Sequence, residues 1–217
     1  MRQERTIEIL GRLMRLRLIP EVELDDVRNA APLANALCAG GLPCAEVAYR
    51  TAETPECIRA MRLAHPRMLI GAGTVLTARQ ADLAMRAGAQ FIVTPCFDPE
   101  VVDYCLEKNF PIFPGCVTPS EVAQAVKRGL FAVRFYPAEA FGGVNTIKSL
   151  ASPYTGLRFI PTGGINLKNL REYLNCGYIA ACGGNWMVQS DLIRAGHFDV
   201  IQKLTRDTVS LAADVRP

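Results

Sequence analysis

The 217-residue chain is poor in the side chains that hold metals. Its only histidines are His65 and His197, and its eight cysteines, at 38, 44, 57, 96, 105, 116, 176 and 182, include no C-x-x-C pair. The usual zinc frameworks are thereby excluded. No metal is expected; carboxylates by themselves favour a hard cation arriving with a substrate. The thiols read as buried, reduced core residues. Long hydrophobic runs are also missing. The opening MRQERTIEILGRLMRLRLIP is broken by Arg and Glu too often for the apolar region of a signal sequence, and nowhere do about 18 apolar residues follow one another. A cytoplasmic protein without a membrane partner is expected. Nor is there a block of one charge. The 24 basic and 21 acidic residues leave a net +3 spread along the chain, so no extended basic tract offers a nucleic-acid footprint. No Gly/Ser linker, low-complexity tract or shift in composition divides the sequence.

What is present is half hydrophobic and about one-fifth charged, enough to bury one substantial core, so a single domain over 1–217 is expected. An opening amphipathic stretch carries Ile7, Ile9, Leu10, Leu13 and Met14 at roughly helical spacing. Eight short β-type runs then alternate with helical ones. The runs are LIPEVEL from Leu18, CAEVAYR from Cys44, MLIGAGTV from Met68, FIVTPCF from Phe91, FPIFPGCV from Phe110, LFAVRFYPA from Leu130, RFIPTGG from Arg158 and YIAACGGNWM from Tyr178. Between them, segments such as TPECIRAMRLAH, TARQADLAMRAGA, DPEVVDYCLEKN and TPSEVAQAVKRG open on Asp, Thr or Pro and close near Gly or Asn, as helices do. HFDVIQKLTRDTVSLAADV reads as a last helix. Near-continuous apolar strands separated by helices indicate parallel strands covered on their outer face. Eight such units fit an α/β class (β/α)8 TIM barrel with an N-terminal helix better than a doubly wound open sheet, the alternative.

In a barrel of this kind the functional residues stand at the C-terminal ends of the strands. Alternation in the second run places Glu46, Ala48 and Arg50 on one face. A buried Glu and Arg need partners or a ligand. They are either a structural ion pair or a pair in which Arg50 clamps a carboxylate and Glu46 moves protons. GAGT (Gly71 to Thr74) and TPCF (Thr94 to Phe97) end the third and fourth runs with residues that let a ligand come close to the backbone. PTGG (Pro161 to Gly164), followed by the helix candidate NLKNLREYL, and CGGNW (Cys182 to Trp186) place glycine pairs after the seventh and eighth runs, a pattern that presents backbone N–H groups to a phosphate.

AEVAYRT (45–51), IGAGTVL (70–76), AGAQFIVTP (87–95), FPIFPG (110–115), RFYPAEAFGG (134–143), PTGGI (161–165) and GGNWM (183–187) together resemble the bifunctional 4-hydroxy-2-oxoglutarate / 2-keto-3-deoxy-6-phosphogluconate aldolases over nearly the whole chain. These are class I enzymes that release pyruvate and an aldehyde from 2-keto-4-hydroxy acids. The resemblance implies no cofactor, a homotrimer, and a phosphorylated or dicarboxylic 2-keto acid as the small-molecule partner. It makes Glu46 the general acid/base, and Arg50 and Thr74 contacts to the pyruvoyl carboxylate. Pro95 and Phe135 line the same pocket. Thr162, Gly163 and Gly164, with Gly184 and Asn185, hold the distal group; Asn185 stands where the family usually has serine, and Ala48 where it often has threonine.

One position breaks the pattern. The family motif reads Lys-Phe-Phe-Pro-Ala-Glu, and its lysine forms the carbinolamine and iminium; here the sequence is Arg-Phe-Tyr-Pro-Ala-Glu, beginning at Arg134. Guanidinium stays protonated and offers no free amine to a carbonyl, so Arg134 cannot form the imine. The lysines present, Lys108, Lys127, Lys148, Lys168 and Lys203, all fall in segments read as helices. Lys168, after PTGGI, is the nearest to a strand end. Three functional readings follow: an aldolase weakened by the arginine; a non-covalent, metal-assisted or enolate-based lyase, decarboxylase or isomerase; and a phosphosugar-acid binding protein with Arg50 and Arg134 as an anion cage. In a fourth, Arg134 merely neutralises an interior acid.

Overall fold

The computed structural model describes residues 4–215; the first three residues of the opening stretch and the last two of the chain lie outside the described residues. Each of the eight β-type runs contains a strand: β1 (Leu18–Val22), β2 (Cys44–Ala48), β3 (Leu69–Gly73), β4 (Ile92–Val93), β5 (Ile112–Phe113), β6 (Ala132–Phe135), β7 (Arg158–Pro161) and β8 (Cys182–Gly184). The helices are α1 (Glu4–Leu16), α2 (Ala30–Ala39), α3 (Thr54–Ala64), α4 (Ala78–Ala87), α5 (Pro99–Glu107), α6 (Pro119–Lys127), α7 (Gly143–Ala151), α8 (Leu170–Leu174), α9 (Ser190–Arg194) and α10 (Phe198–Ala213).

Several starts follow from capping chemistry. The side chains of Thr77 and Asp98 accept from the amides of Gln80 and of Glu100 and Val101, closing donors that the first turns of α4 and α5 leave open. Thr118 and Glu121 form a reciprocal capping box at α6. In α1 the buried face is Ile9, Leu10 and Leu13; Ile7 and Met14, expected on it, are exposed. Ile9, Leu10 and Leu13 lie on one stripe of the helix, and the other two lie round its edge.

All strand pairs are parallel. One sheet runs β5-β4-β3-β2-β1-β8 and another β6-β7, joined by bridges between Gly115 and Arg134 and between Phe159 and Ile179. Curling follows from one side chain. β6 and β2 lie four strands apart in this order, about 19 Å in a flat sheet at the usual spacing, yet the Arg134 guanidinium touches Glu46 of β2 at 2.5 Å. The fold is thus α/β with a curled parallel sheet, helices outside and polar residues at its centre.

Arg17, just after α1, ties the C-terminal ends of α8 and α10 to this frame. Its guanidinium donates to the carbonyls of Ala212 and Leu174, each at 2.9 Å, and to that of Val215. These carbonyls lie in and just beyond the last turns of α10 and α8. Six of the cysteines are buried as expected. Cys38 is half-buried and Cys96, at the end of the fourth run, is exposed, because the strand has already ended at Val93 and the chain is turning outward.

Candidate functional site

Glu21 and Glu46 are register partners on β1 and β2, so their side chains leave the sheet side by side on one face. Two carboxylates so placed repel. Arg134 of β6 resolves this from across the curl: Nη1 donates to Glu46 at 2.5 Å and Nη2 donates to Glu21. Thr162, at the end of β7, donates its hydroxyl to the same Glu21 oxygen. Both acids rest on glycines of neighbouring strands. A Cβ at Gly73 would lie 2.1 Å from Glu46 Oε1, and one at Gly183 would lie 2.5 Å from Glu21 Oε1. The sequence pattern reserved these glycine turns for a ligand; at these two positions it is a carboxylate of the chain itself that needs the space.

Electrostatics follow from the burial. Desolvation pushes Glu46 up to about 7; Arg134 opposes this and the neighbouring Glu21 adds to it. Burial works against the charge of Arg134, but the two carboxylates outweigh it and hold its pKa above the ordinary value. The centre therefore joins a fixed cation to a carboxyl that takes up or gives a proton near neutrality, as general acid–base work requires.

These groups open into a cavity of about 290 Å³ at the C-terminal ends of the strands. Of the residues expected there, Glu46, Arg50, Thr74, Pro95, Arg134, Gly163, Gly164, Gly184 and Asn185 line it. β2 ends at Ala48, so Arg50 stands on the loop beyond, where it pairs with Glu23 at 2.7 Å, both side chains largely in solvent. Thr74 holds φ +55°, an unfavourable conformation for a β-branched residue, at the cavity wall. Gly163 and Gly164 both have left-handed backbones, φ +93° and +83°. Among the described residues their amides donate to no protein group. Two free N–H groups at the rim suit an anionic oxygen.

Three expectations are corrected. Phe135 is fully buried, edge-on to Phe159 with ring centroids 6.4 Å apart, and does not line the cavity; strand alternation that turns Arg134 inward must turn Phe135 outward. Thr162 is also behind the wall, reaching the site only through Glu21. The helix expected over NLKNLREYL is shortened to α8, because side chains replace helical bonds in the preceding turn: Asn166 accepts from the amide of Lys168 at 2.9 Å, and Asn169 from that of Asn166 at 2.8 Å. Lys168 is thus exposed on a turn outside a helix and is not among the lining residues. Glu21, Glu23 and Tyr136 line the cavity without having been singled out. Glu21 had a signal, a charge inside the apolar run LIPEV, the same signal that pointed to Glu46.

Comparison with known proteins finds relatives over nearly the whole chain. A family model described as KDPG and KHG aldolase matches residues 9–204. The chain is 46% identical over 205 residues to the 2-dehydro-3-deoxy-phosphogluconate aldolase of Treponema pallidum, covering 94% of this chain and 98% of that protein. It is 43% identical over 206 residues to the enzyme of the same name from Haemophilus influenzae, covering 95% and 97%. The crystal structure of KDPG aldolase from Legionella pneumophila, with pyruvate captured as a covalent carbinolamine intermediate, superposes with a TM-score of 0.88 at 33% identity, covering 91% of this chain and 97% of that one. The chain belongs to the KDPG and KHG aldolase family.

Proposed function

We propose that this chain is a single-domain, closed (β/α)8 barrel, assembling as a homotrimer, that cleaves 2-keto-3-deoxy-6-phosphogluconate and/or 4-hydroxy-2-oxoglutarate to pyruvate and an aldehyde by a slow, non-covalent route. One observation carries the reading: the residue at the centre of the cavity is a guanidinium held by two carboxylates. A carbinolamine, such as the one named for the Legionella relative, requires a primary amine, and Arg134 has none.

The remaining groups supply the rest of the chemistry. Arg50 exchanges its exposed partner Glu23 for the substrate carboxylate, an exchange that surrenders little because such surface pairs are worth about 1 kcal/mol or less. Thr74 and Pro95 bound the pyruvoyl end, and the free amides of Gly163 and Gly164, with Gly184 and Asn185, receive the distal phosphate or carboxylate. Glu46 takes the proton from the C4 hydroxyl as the C3–C4 bond breaks. The electron pair of that bond enters the ketone as an enolate, whose oxygen faces Arg134. Glu46 then returns the proton to C3, giving pyruvate. Acid–base help of this kind is worth on the order of 10²–10⁴ in rate, and the electron sink that an imine would add to it is missing.

The test is pyruvate release from both substrates, with and without Mg2+ or Mn2+, alongside borohydride treatment. Slow release with no trapped adduct is the expected result. A trapped adduct on the unaltered protein would show another amine at work and overturn the non-covalent route. Binding of both substrates without release under any condition would make the chain a phosphosugar-acid binding protein.

A further inference from the structure

Glu21 is the charged group at the centre of the cavity to which the family resemblance assigns no role. Its position is nevertheless specific. One oxygen, Oε1, accepts from both Arg134 and Thr162, the carboxyl packs against Gly183, and its register partner is Glu46. The two terminal nitrogens of Arg134 therefore each have a carboxylate of their own. A forked, delocalised cation fits this seat; an amine would meet the same two carboxylates with a single compact charge.

That difference bears on covalent chemistry. For a lysine to react, its ammonium first loses a proton. The free amine nitrogen then adds to the ketone carbon as the carbonyl oxygen takes up a proton, and the carbinolamine loses water to give the iminium. Two carboxylates within hydrogen-bonding reach hold the ammonium in its charged form and withhold the lone pair this sequence begins with. Burial leaves Glu46 partly protonated near neutrality, which lessens its own hold on the ammonium.

We propose that Glu21 is a positioning residue that commits position 134 to a permanent cation: an amine placed there by Arg134→Lys alone stays protonated and forms no imine at neutral pH, whereas Arg134→Lys combined with Glu21→Gln forms one. The inference rests on the reading that the cavity takes 2-keto acids. Glutamine retains an oxygen that can accept from Thr162, so the substitution removes charge while leaving that hydrogen bond possible.

The experiment incubates each full-length variant with pyruvate and borohydride from pH 6 to 10 and follows the reduced adduct by intact mass, with pyruvate binding measured separately by titration calorimetry. The double variant is expected to trap pyruvate at pH 7 at least about tenfold faster than Arg134→Lys, whose trapping rises only at a pH about one unit or more higher, each unit being tenfold in free amine. Arg134→Lys with Glu21→Asp, which keeps the charge, is expected to follow the single variant. Glu21→Ala stands in for Glu21→Gln if the amide does not fold. Equal trapping by single and double variants at pH 7 overturns the proposal. So does a double variant that binds pyruvate and never traps it, an outcome that leaves the 2-keto-acid reading intact. If neither the unaltered protein nor any variant binds pyruvate, the 2-keto-acid reading fails and the proposal falls with it.

Discussion

Replacing Glu46 with glutamine is expected to remove a definite part of the dependence of stability on pH. Burial raises the Glu46 carboxyl from 4.5 to about 7 in the folded protein. Between those values the native state binds more protons than the unfolded chain, so stability falls as pH rises through the interval. The loss is complete above about 7 and absent well below 4.5. At 1.36 kcal/mol per unit the whole effect is about 3 kcal/mol, of which roughly 2 to 3 falls between pH 5 and 8. Glu46→Gln keeps the size of the side chain and cannot ionise, while Glu21 remains as counter-ion to Arg134. Urea unfolding of both proteins at pH 5 and pH 8 reads the difference directly. With a slope near 2 kcal/mol/M, the midpoint of the parent should fall by about 1 M more than that of the variant across the interval. Titrating groups away from this cluster are common to both proteins and cancel. Parallel loss of stability in parent and variant would mean that Glu46 is ionised throughout, and would refute its raised pKa.

Two further perturbations test the frame around the site. Arg17→Ala leaves the carbonyls of Ala212, Leu174 and Val215 without their charged donor; a loss of about 2–4 kcal/mol is expected in urea titrations, with faster amide exchange in the last turn of α10. Because alanine and arginine bear the φ of +63° at this position equally badly, strain does not contribute to the difference. Thr74→Gly removes a left-handed strain that costs an L-residue roughly 1–2 kcal/mol, partly offset by glycine's greater freedom in the unfolded chain. A melting temperature about 2–4 °C higher, together with weaker 2-keto-acid binding, is the expected result; an unchanged or lower melting temperature would show that Thr74 is at ease in its conformation.

Much was legible in the sequence because it is written locally. Apolar runs bounded by Gly and Pro marked the strands, and Thr77, Asp98 and Thr118 announced helix starts that their own side chains cap. Motif order placed Glu46, Arg50, Thr74 and Arg134 at one end of the sheet, where all four line the cavity. The sequence also determined by itself that position 134 has no amine, which is a matter of covalent chemistry and independent of folding.

Only the tertiary structure decided what Arg134 touches. Glu21 is 113 residues away from it and Glu46 is 88, and a contact between β6, β1 and β2 exists only once the sheet curls. Local spacing carries no such information, which is why one of the two carboxylates was anticipated and the other was not. The same holds for Phe135 and Thr162, which the family motif drew toward the ligand and the strand geometry placed behind the wall. Sequence fixes which groups are available and which face of a strand each shares. Curvature brings distant strands within one side chain's length, and there it turns an ordinary run of apolar residues with a single glutamate into the second arm of a buried ion-pair network.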